Sequence, residues 1–164
     1  MNRRSFLLSS AALLGGGILA SRVFAQLPPE GSTAGVFEVT RTEEEWRALL
    51  TQEQFYVLRQ AGTEYPWTSP LLDEHRVGTF NCAGCALPLY ASETKYDSRT
   101  GWPSFWQEIP DAVRTSTDYL LGYPRTEVHC RRCGGHLGHI FTDGPQPTGL
   151  RHCINGVSLT FAAT

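Results

Sequence analysis

The spacing of apolar residues changes three times along the chain. Residues 6–20 are almost continuously apolar, softened by Gly15-Gly16-Gly17, and residues 26–39 show no period at all. A helical period begins at Thr42. Thr42-Glu43-Glu44-Glu45 has the form of a capping box, with acids in the first turn where the helix dipole favours them. It opens a helix through Trp46, Leu49 and Leu50, spaced to share one face. Thr51, three residues before Gln54, repeats the device for a second helix through Phe55, Val57 and Leu58 that should stop near Gly62. Tyr65-Pro66-Trp67 and Ser69-Pro70 then break any helix. From Val77 onward short apolar runs alternate with Gly, Pro and Asp. The runs predict strands at 77–80, 87–91, 112–115, 118–122, 126–130, 138–142 and 157–162. Such a series of short strands predicts a mainly β, antiparallel domain behind two short helices.

The first apolar run follows Asn2-Arg3-Arg4-Ser5 and closes on Val23-Phe24-Ala25, a small-residue cleavage pattern. It is short and glycine-rich for a membrane span. Its arginine pair resembles a twin-arginine export signal over residues 1–25, although an ordinary secretory signal would use the same charges. Residues 26–39 read as a flexible leader and residues 40–164 as one domain. Export to the periplasm is the expectation, with a membrane tether if the signal is kept. Without residues 1–25 the chain carries 11 basic and 16 acidic side chains, which offers nothing to nucleic acid or an anionic membrane. A composition 41% hydrophobic over 164 residues excludes general disorder and suits a single core. A monomer is expected.

Five cysteines change the picture most. They fall as Cys82-Ala-Gly-Cys85, Cys130-Arg-Arg-Cys133 and a lone Cys153. Two residues between ligands let one tight turn aim both sulfurs at one metal, with Gly84 and Gly134 easing the turns. The two knuckles therefore suit a closed four-thiolate zinc site that clamps two hairpins. Two disulfides are the competing arrangement in an export compartment. Cys153 has His152 beside it and Arg151 and Asn155 two residues away on either side. Groups that carry charge or donate hydrogen bonds can lower a thiol pKa and expose the reactive thiolate. A buried, inert cysteine is the alternative.

Three further segments carry a family likeness: Gly101-Trp102-Pro103-Ser104-Phe105, Gly134-Gly135-His136-Leu137-Gly138-His139-Ile140-Phe141, and Arg151-His152-Cys153-Ile154-Asn155. With the knuckles in matching places and Gly62-Thr63-Glu64 after the second helix, the chain resembles the B-type methionine-R-sulfoxide reductases from about Thr40 to Phe161. The resemblance implies a β-tent of two antiparallel sheets with N-terminal helices, a structural zinc held by Cys82, Cys85, Cys130 and Cys133, and a nucleophile at Cys153. The implied chemistry is thiolate attack on a sulfoxide sulfur while an acid protonates the oxygen, leaving methionine and a sulfenic acid. By that likeness His139 is the acid, with His136 and Asn155 ordering the oxygen, Arg151 steadying the thiolate, and Trp102 and Phe141 forming the methyl-binding wall. Oxidised proteins are the implied substrate. Taken without the likeness, the two histidines read as metal ligands or core residues, Trp102 as core, and Asn155 as a turn cap.

Two positions depart from the family pattern. Many members have a resolving cysteine where this chain has Thr100, and no sixth cysteine replaces it. Recycling of Cys153 is therefore expected from an external thiol, a thioredoxin-like protein or a small thiol. His152 stands where the family usually has an aromatic residue, and it would either shift the Cys153 pKa or replace a ring in packing. Met1 is the only methionine, so the domain offers none of its own to oxidants. Two other readings stay open on the same scaffold: a zinc-clamped binding module without enzymatic activity, and a thiol peroxidase or redox sensor.

Overall fold

The structure, a computed structural model, describes residues 37–164, so the expected export signal and most of the leader lie outside the described residues. The last leader residues are docked rather than free. Val39 donates its backbone N–H to Arg132, the Glu38 carboxylate meets Arg131, and Phe37 packs edge-on against His129.

Helices α1 (Glu43–Leu49) and α2 (Gln52–Gln60) open as expected on complete capping boxes at Thr42 and Thr51. Each threonine hydroxyl accepts from the backbone three residues on at 3.2 Å, and Glu45 and Gln54 return the bond at 2.8 and 3.0 Å. The buried face of α1 is Trp46 with Leu50, whereas Leu49 turns out to solvent, because a seven-residue helix has room for one inward row. Ala61, at φ 52°, takes the left-handed position that ends α2. The glycine is required one residue later for space, since a Cβ on Gly62 would sit 2.3 Å from the Tyr56 ring.

Nine strands follow among the described residues: β1 (Gly78–Cys82), β2 (Pro88–Ala91), β3 (Lys95–Tyr96), β4 (Ser104–Phe105), β5 (Val113–Asp118), β6 (Arg125–Cys130), β7 (His136–Phe141), β8 (Arg151–Ile154) and β9 (Leu159–Ala163). They form two antiparallel sheets, ordered β2-β1-β9 and β3-β4-β8-β7-β6-β5. The core lies between the sheets. Phe80 of β1 packs against Phe105 of β4 and Phe161 of β9 at 5.0 and 4.9 Å, and Tyr90 of β2 stacks on Phe105 at 4.3 Å. Val128, Leu137 and Ile154 complete it from the larger sheet, each without solvent exposure.

Two expectations fail instructively. The apolar segment expected as a strand over 118–122 contributes only Asp118 to β5, and Tyr119–Leu121 lie in the turn to β6. The two-residue strands β3 and β4 and the strand that carries Cys153 are absent from the expected series. Residues 151–154 lack the apolar alternation of a strand on paper, yet β8 alternates in burial, with His152 and Ile154 in the core and Arg151 and Cys153 on the outer face.

Candidate active site

Cross-strand register gathers the chemistry into one row. Cys153 pairs with Ser104 of β4 on one side and His139 of β7 on the other, and His139 pairs with Glu127 of β6. Residues paired across a ladder point to the same face, so these side chains share the outer surface of the larger sheet. His136 and His139 are three apart, a spacing that would put them on opposite faces of a regular strand. A bulge resolves this. Val128 pairs with Gly138 but His129 pairs with His136, so Leu137 is the extra residue and turns into the core. The two imidazoles then lie on one side with ring centroids 5.5 Å apart.

Each histidine is held by a carboxylate. His136 Nδ1 lies 2.7 Å from Glu127 Oε1, and His139 Nε2 lies 2.8 Å from Asp118 Oδ2. Asp118 is also paired with Arg125, and its carboxyl is held down to about 2, chiefly because the Leu120 backbone N–H donates to it. Glu127 is held below the usual carboxylate range by its histidine partners. Burial lowers the His139 pKa and outweighs the opposing bond to Asp118. Burial thus favours the neutral imidazole of His139, whose Nδ1 is bonded to no described residue.

Cys153 is half-buried, and burial pushes its thiol above the ordinary value. Thr100 and Arg151 pull the other way, with Thr100 Oγ1 at 3.8 Å from Sγ. Burial thus works against the low-pKa cysteine expected here, and Thr100 and Arg151 work for it. Much of the Arg151 charge is answered by Asp143, to which its Nε and terminal nitrogen donate at 2.9 and 3.0 Å. His152 has no part in this balance. It points into the core from the opposite face of β8, edge-on to Tyr90, so the imidazole replaces a ring in packing.

Trp102, Phe141, Thr63 and Asn155 close a cleft of about 120 Å³ around Cys153 and His139. That is room for the end of one side chain. The Trp102 indole is fixed by its N–H donating to the Glu64 carbonyl at 3.1 Å, and the Phe141 ring is covered by the Arg151 guanidinium at 4.2 Å. Asn155, expected to order the sulfoxide oxygen, spends its amide on backbone: Oδ1 accepts from Glu64 at 2.9 Å and Nδ2 donates to Leu137 at 2.9 Å. The Glu64 carboxylate in turn accepts from the backbone N–H groups of Gly156 and Val157. Glu64 thus ties the loop after α2 to the end of β8. Asp118, Glu127, Arg125 and Glu64 are absent from the site expected on sequence. Only register reveals the first three, while Glu64 already belongs to the segment after the second helix.

At the opposite end of β6, Cys82, Cys85, Cys130 and Cys133 bring one sulfur each within 4.8 Å of the others. Cys82 and Cys133 are 3.7 Å apart and Cys85 and Cys130 3.5 Å, all four as free thiols. Those separations exclude disulfides, whose sulfurs stand about 2.05 Å apart. They match the edge of a tetrahedron with sulfurs about 2.3 Å from a central metal, roughly 3.8 Å. The cluster could therefore hold a metal ion. The left-handed position in each knuckle is the residue after the second cysteine, Ala86 at φ 57° and Gly134 at φ 68°. Gly84 needs no such freedom, contrary to expectation.

The SelR domain family model matches residues 50–163 of the chain. The peptide methionine sulfoxide reductase MsrB of Leifsonia xyli subsp. xyli is 54% identical over 129 residues, 77% of this chain and 93% of that protein. Its namesakes from Leptospira interrogans and Agrobacterium fabrum are 50% and 48% identical, over 76% of this chain and 96% and 93% of theirs.

Proposed function

Since the chain belongs to the SelR-domain family of MsrB-type methionine sulfoxide reductases, we propose that its Cys153 cleft reduces the R epimer of methionine sulfoxide in exported proteins. The single observation that carries this reading is the direct ladder pairing of Cys153 with a carboxylate-held His139 beside an aromatic-walled cleft.

The side-chain thioether end enters the cleft with its methyl group against Trp102 and Phe141. Cys153 attacks sulfur as a thiolate and forms an S–S bond while His139, in its protonated form, delivers a proton to the sulfoxide oxygen, and the resulting hydroxyl passes to the Cys153 sulfur as the S–S bond breaks. The sulfoxide gains two electrons and leaves as methionine. Cys153 loses two and becomes a sulfenic acid. Asp118 orients His139, Glu127 orients His136, and Arg151 favours the thiolate. Asn155 positions the β7–β8 end of the site through backbone rather than touching the oxygen.

A zinc ion fits the four-cysteine cluster by thiolate count and edge length, and when bound it clamps the hairpins of both sheets. With Thr100 beside Cys153 and all other cysteines in the cluster, the sulfenic acid is resolved by an external thiol. That thiol condenses with it to a mixed disulfide and water, and a second thiol then frees Cys153. The Arg3-Arg4 pair of the expected export signal supports work in the periplasm.

The deciding experiment uses the separate sulfoxide epimers of N-acetylmethionine with dithiothreitol. Turnover of R but not S, lost in Cys153→Ser with the metal retained, supports the proposal. Peroxide consumption without sulfoxide turnover would replace it with a thiol peroxidase.

A further inference from the structure

The turn between β5 and β6 exposes Tyr119, Leu120, Leu121 and Tyr123, each between 55% and 78% accessible. Single exposed apolar residues are ordinary, but four within five positions make a patch. The patch is also built. The Leu120 N–H donates to Asp118 Oδ1 at 2.6 Å, and the Gly122 N–H, at φ 82°, donates to Tyr119 at 2.8 Å. A side-chain-anchored turn of this kind holds its residues out in a defined shape.

Its location argues for what it meets. The two oxygens of Asp118 join the turn to the cleft, since Oδ1 pins Leu120 and Oδ2 holds His139. Arg125, on the other side of the turn, lines the Cys153 cleft directly. Register places the turn at the same end of the sheet as Phe141 and Arg151, which pair with each other beside Cys153. Two strand spacings and about two residues along β6 put its base roughly 12 Å from Cys153. On the other flank of the cleft, Trp67 is bonded to Gly101 next to Trp102, and it too is exposed.

We propose that the Tyr119–Tyr123 turn is a docking surface for apolar residues of the polypeptide that carries the sulfoxide. This deepens the proposed function and rests on it. Methionine is among the more buried residue types, so the sequence around it is commonly apolar, and such a segment continues from the cleft onto the turn. At about 3.3 Å per extended residue, the contact falls three to six positions from the sulfoxide.

The test compares wild type with Leu121→Ser/Tyr123→Ser, a change in solvent that leaves Asp118, its Leu120 anchor, Arg125 and the core intact. Three substrates are used: N-acetylmethionine-R-sulfoxide, a sulfoxide peptide with leucines three to six positions away, and the same peptide with serines there. The expected result is a five- to tenfold loss of kcat/KM on the leucine peptide, carried by KM, with the other two unchanged within twofold. An equal loss on all three substrates, or none on the leucine peptide, overturns the docking role. So does a rise confined to the KM for a thioredoxin-like reductant, which would assign the turn to the reductant. A wild-type dimer that the variant converts to monomer overturns it likewise. Failure of wild type on all three substrates would instead sink the proposed function itself, and the docking role with it.

Discussion

His139 stands directly opposite Cys153 across the β7–β8 ladder, and the adjoining Gly138 leaves no room for a Cβ against the β8 backbone. A Cβ on Gly138 would lie 2.0 Å from the Cys153 carbonyl oxygen. Gly138→Ala should therefore part β7 from β8 at the reacting pair. Overpacking of this kind costs about 1–3 kcal/mol of stability. Displacement of about 1 Å between reacting groups should cost roughly a hundredfold in kcat/KM. Urea unfolding and steady-state kinetics on one preparation check both, and a variant with wild-type kcat/KM would refute the tight spacing.

Burial works against a proton on His139, and Asp118 works for it. The productive pairing is thiolate with imidazolium, yet the His139 pKa is lowered and the Cys153 pKa raised. Between those two values the productive form is a constant minority, and it decays below the first and above the second. Asp118→Asn removes a contribution that raises the His139 pKa. Its acid limb should move to lower pH and its plateau should fall, about tenfold for every pH unit that the limb moves. Arg151→Met removes a contribution that lowers the Cys153 pKa, so its alkaline limb should move up while its plateau also falls. Full pH–rate profiles of R-sulfoxide reduction separate the two signatures.

Thr100 occupies the place from which a second thiol could reach the nucleophile, 3.8 Å from Sγ. Thr100→Cys should let the sulfenic acid condense with the new thiol and lose water. After one turnover without reductant, wild type should keep a dimedone-reactive Cys153, and the variant should be lighter by two hydrogens and unreactive. A wild-type internal disulfide with the four-cysteine cluster intact would contradict external recycling.

Local signals make the helices legible, because a capping box is written in four consecutive residues and needs no tertiary partner. The cluster is legible for a similar reason, since two ligands from each turn fix the geometry of half the site. The row of the candidate site is not. Leu137 looks like any strand residue, and only pairing shows that it is the bulge that brings His136 and His139 together. Asp118 precedes an apolar run that reads as strand, and the physical competitor is its own side chain, which accepts from Leu120 and starts a turn. β8 escapes the pattern because His152 counts as polar there although it is 1% exposed in fact.

The four-cysteine cluster links the β1–β2 turn to the β6–β7 turn, and hence one sheet to the other. Cys82→Ser should abolish metal binding and lower Tm by at least about 10 °C, because metal affinity of such sites is folding free energy. Chelation of wild type should reproduce the loss. Elemental analysis showing one zinc per chain before chelation, with parallel loss of near-ultraviolet dichroism after it, is the expected record.

His152 provides the last prediction, because it sits one residue from the nucleophile and on the wrong face to influence it. Its Nδ1 lies 3.2 Å from the Tyr90 hydroxyl, while its buried Nε2 makes no hydrogen bond among the described residues and faces the Glu108 carboxylate at 3.5 Å. Burial lowers its pKa, with Glu108 opposing. A histidine so depressed binds its proton more readily when unfolded, so the fold loses stability as pH drops below about 6.5. His152→Phe with Tyr90→Phe removes the imidazole and the Tyr90 hydroxyl together, so neither is left without the other. Denaturant unfolding at about pH 7 and pH 5 should show the double variant gaining on wild type as pH falls. Its pH–rate profile should stay where the wild-type profile lies, since Cys153 faces the cleft and His152 the core. A displaced alkaline limb would show instead that His152 does tune the thiolate.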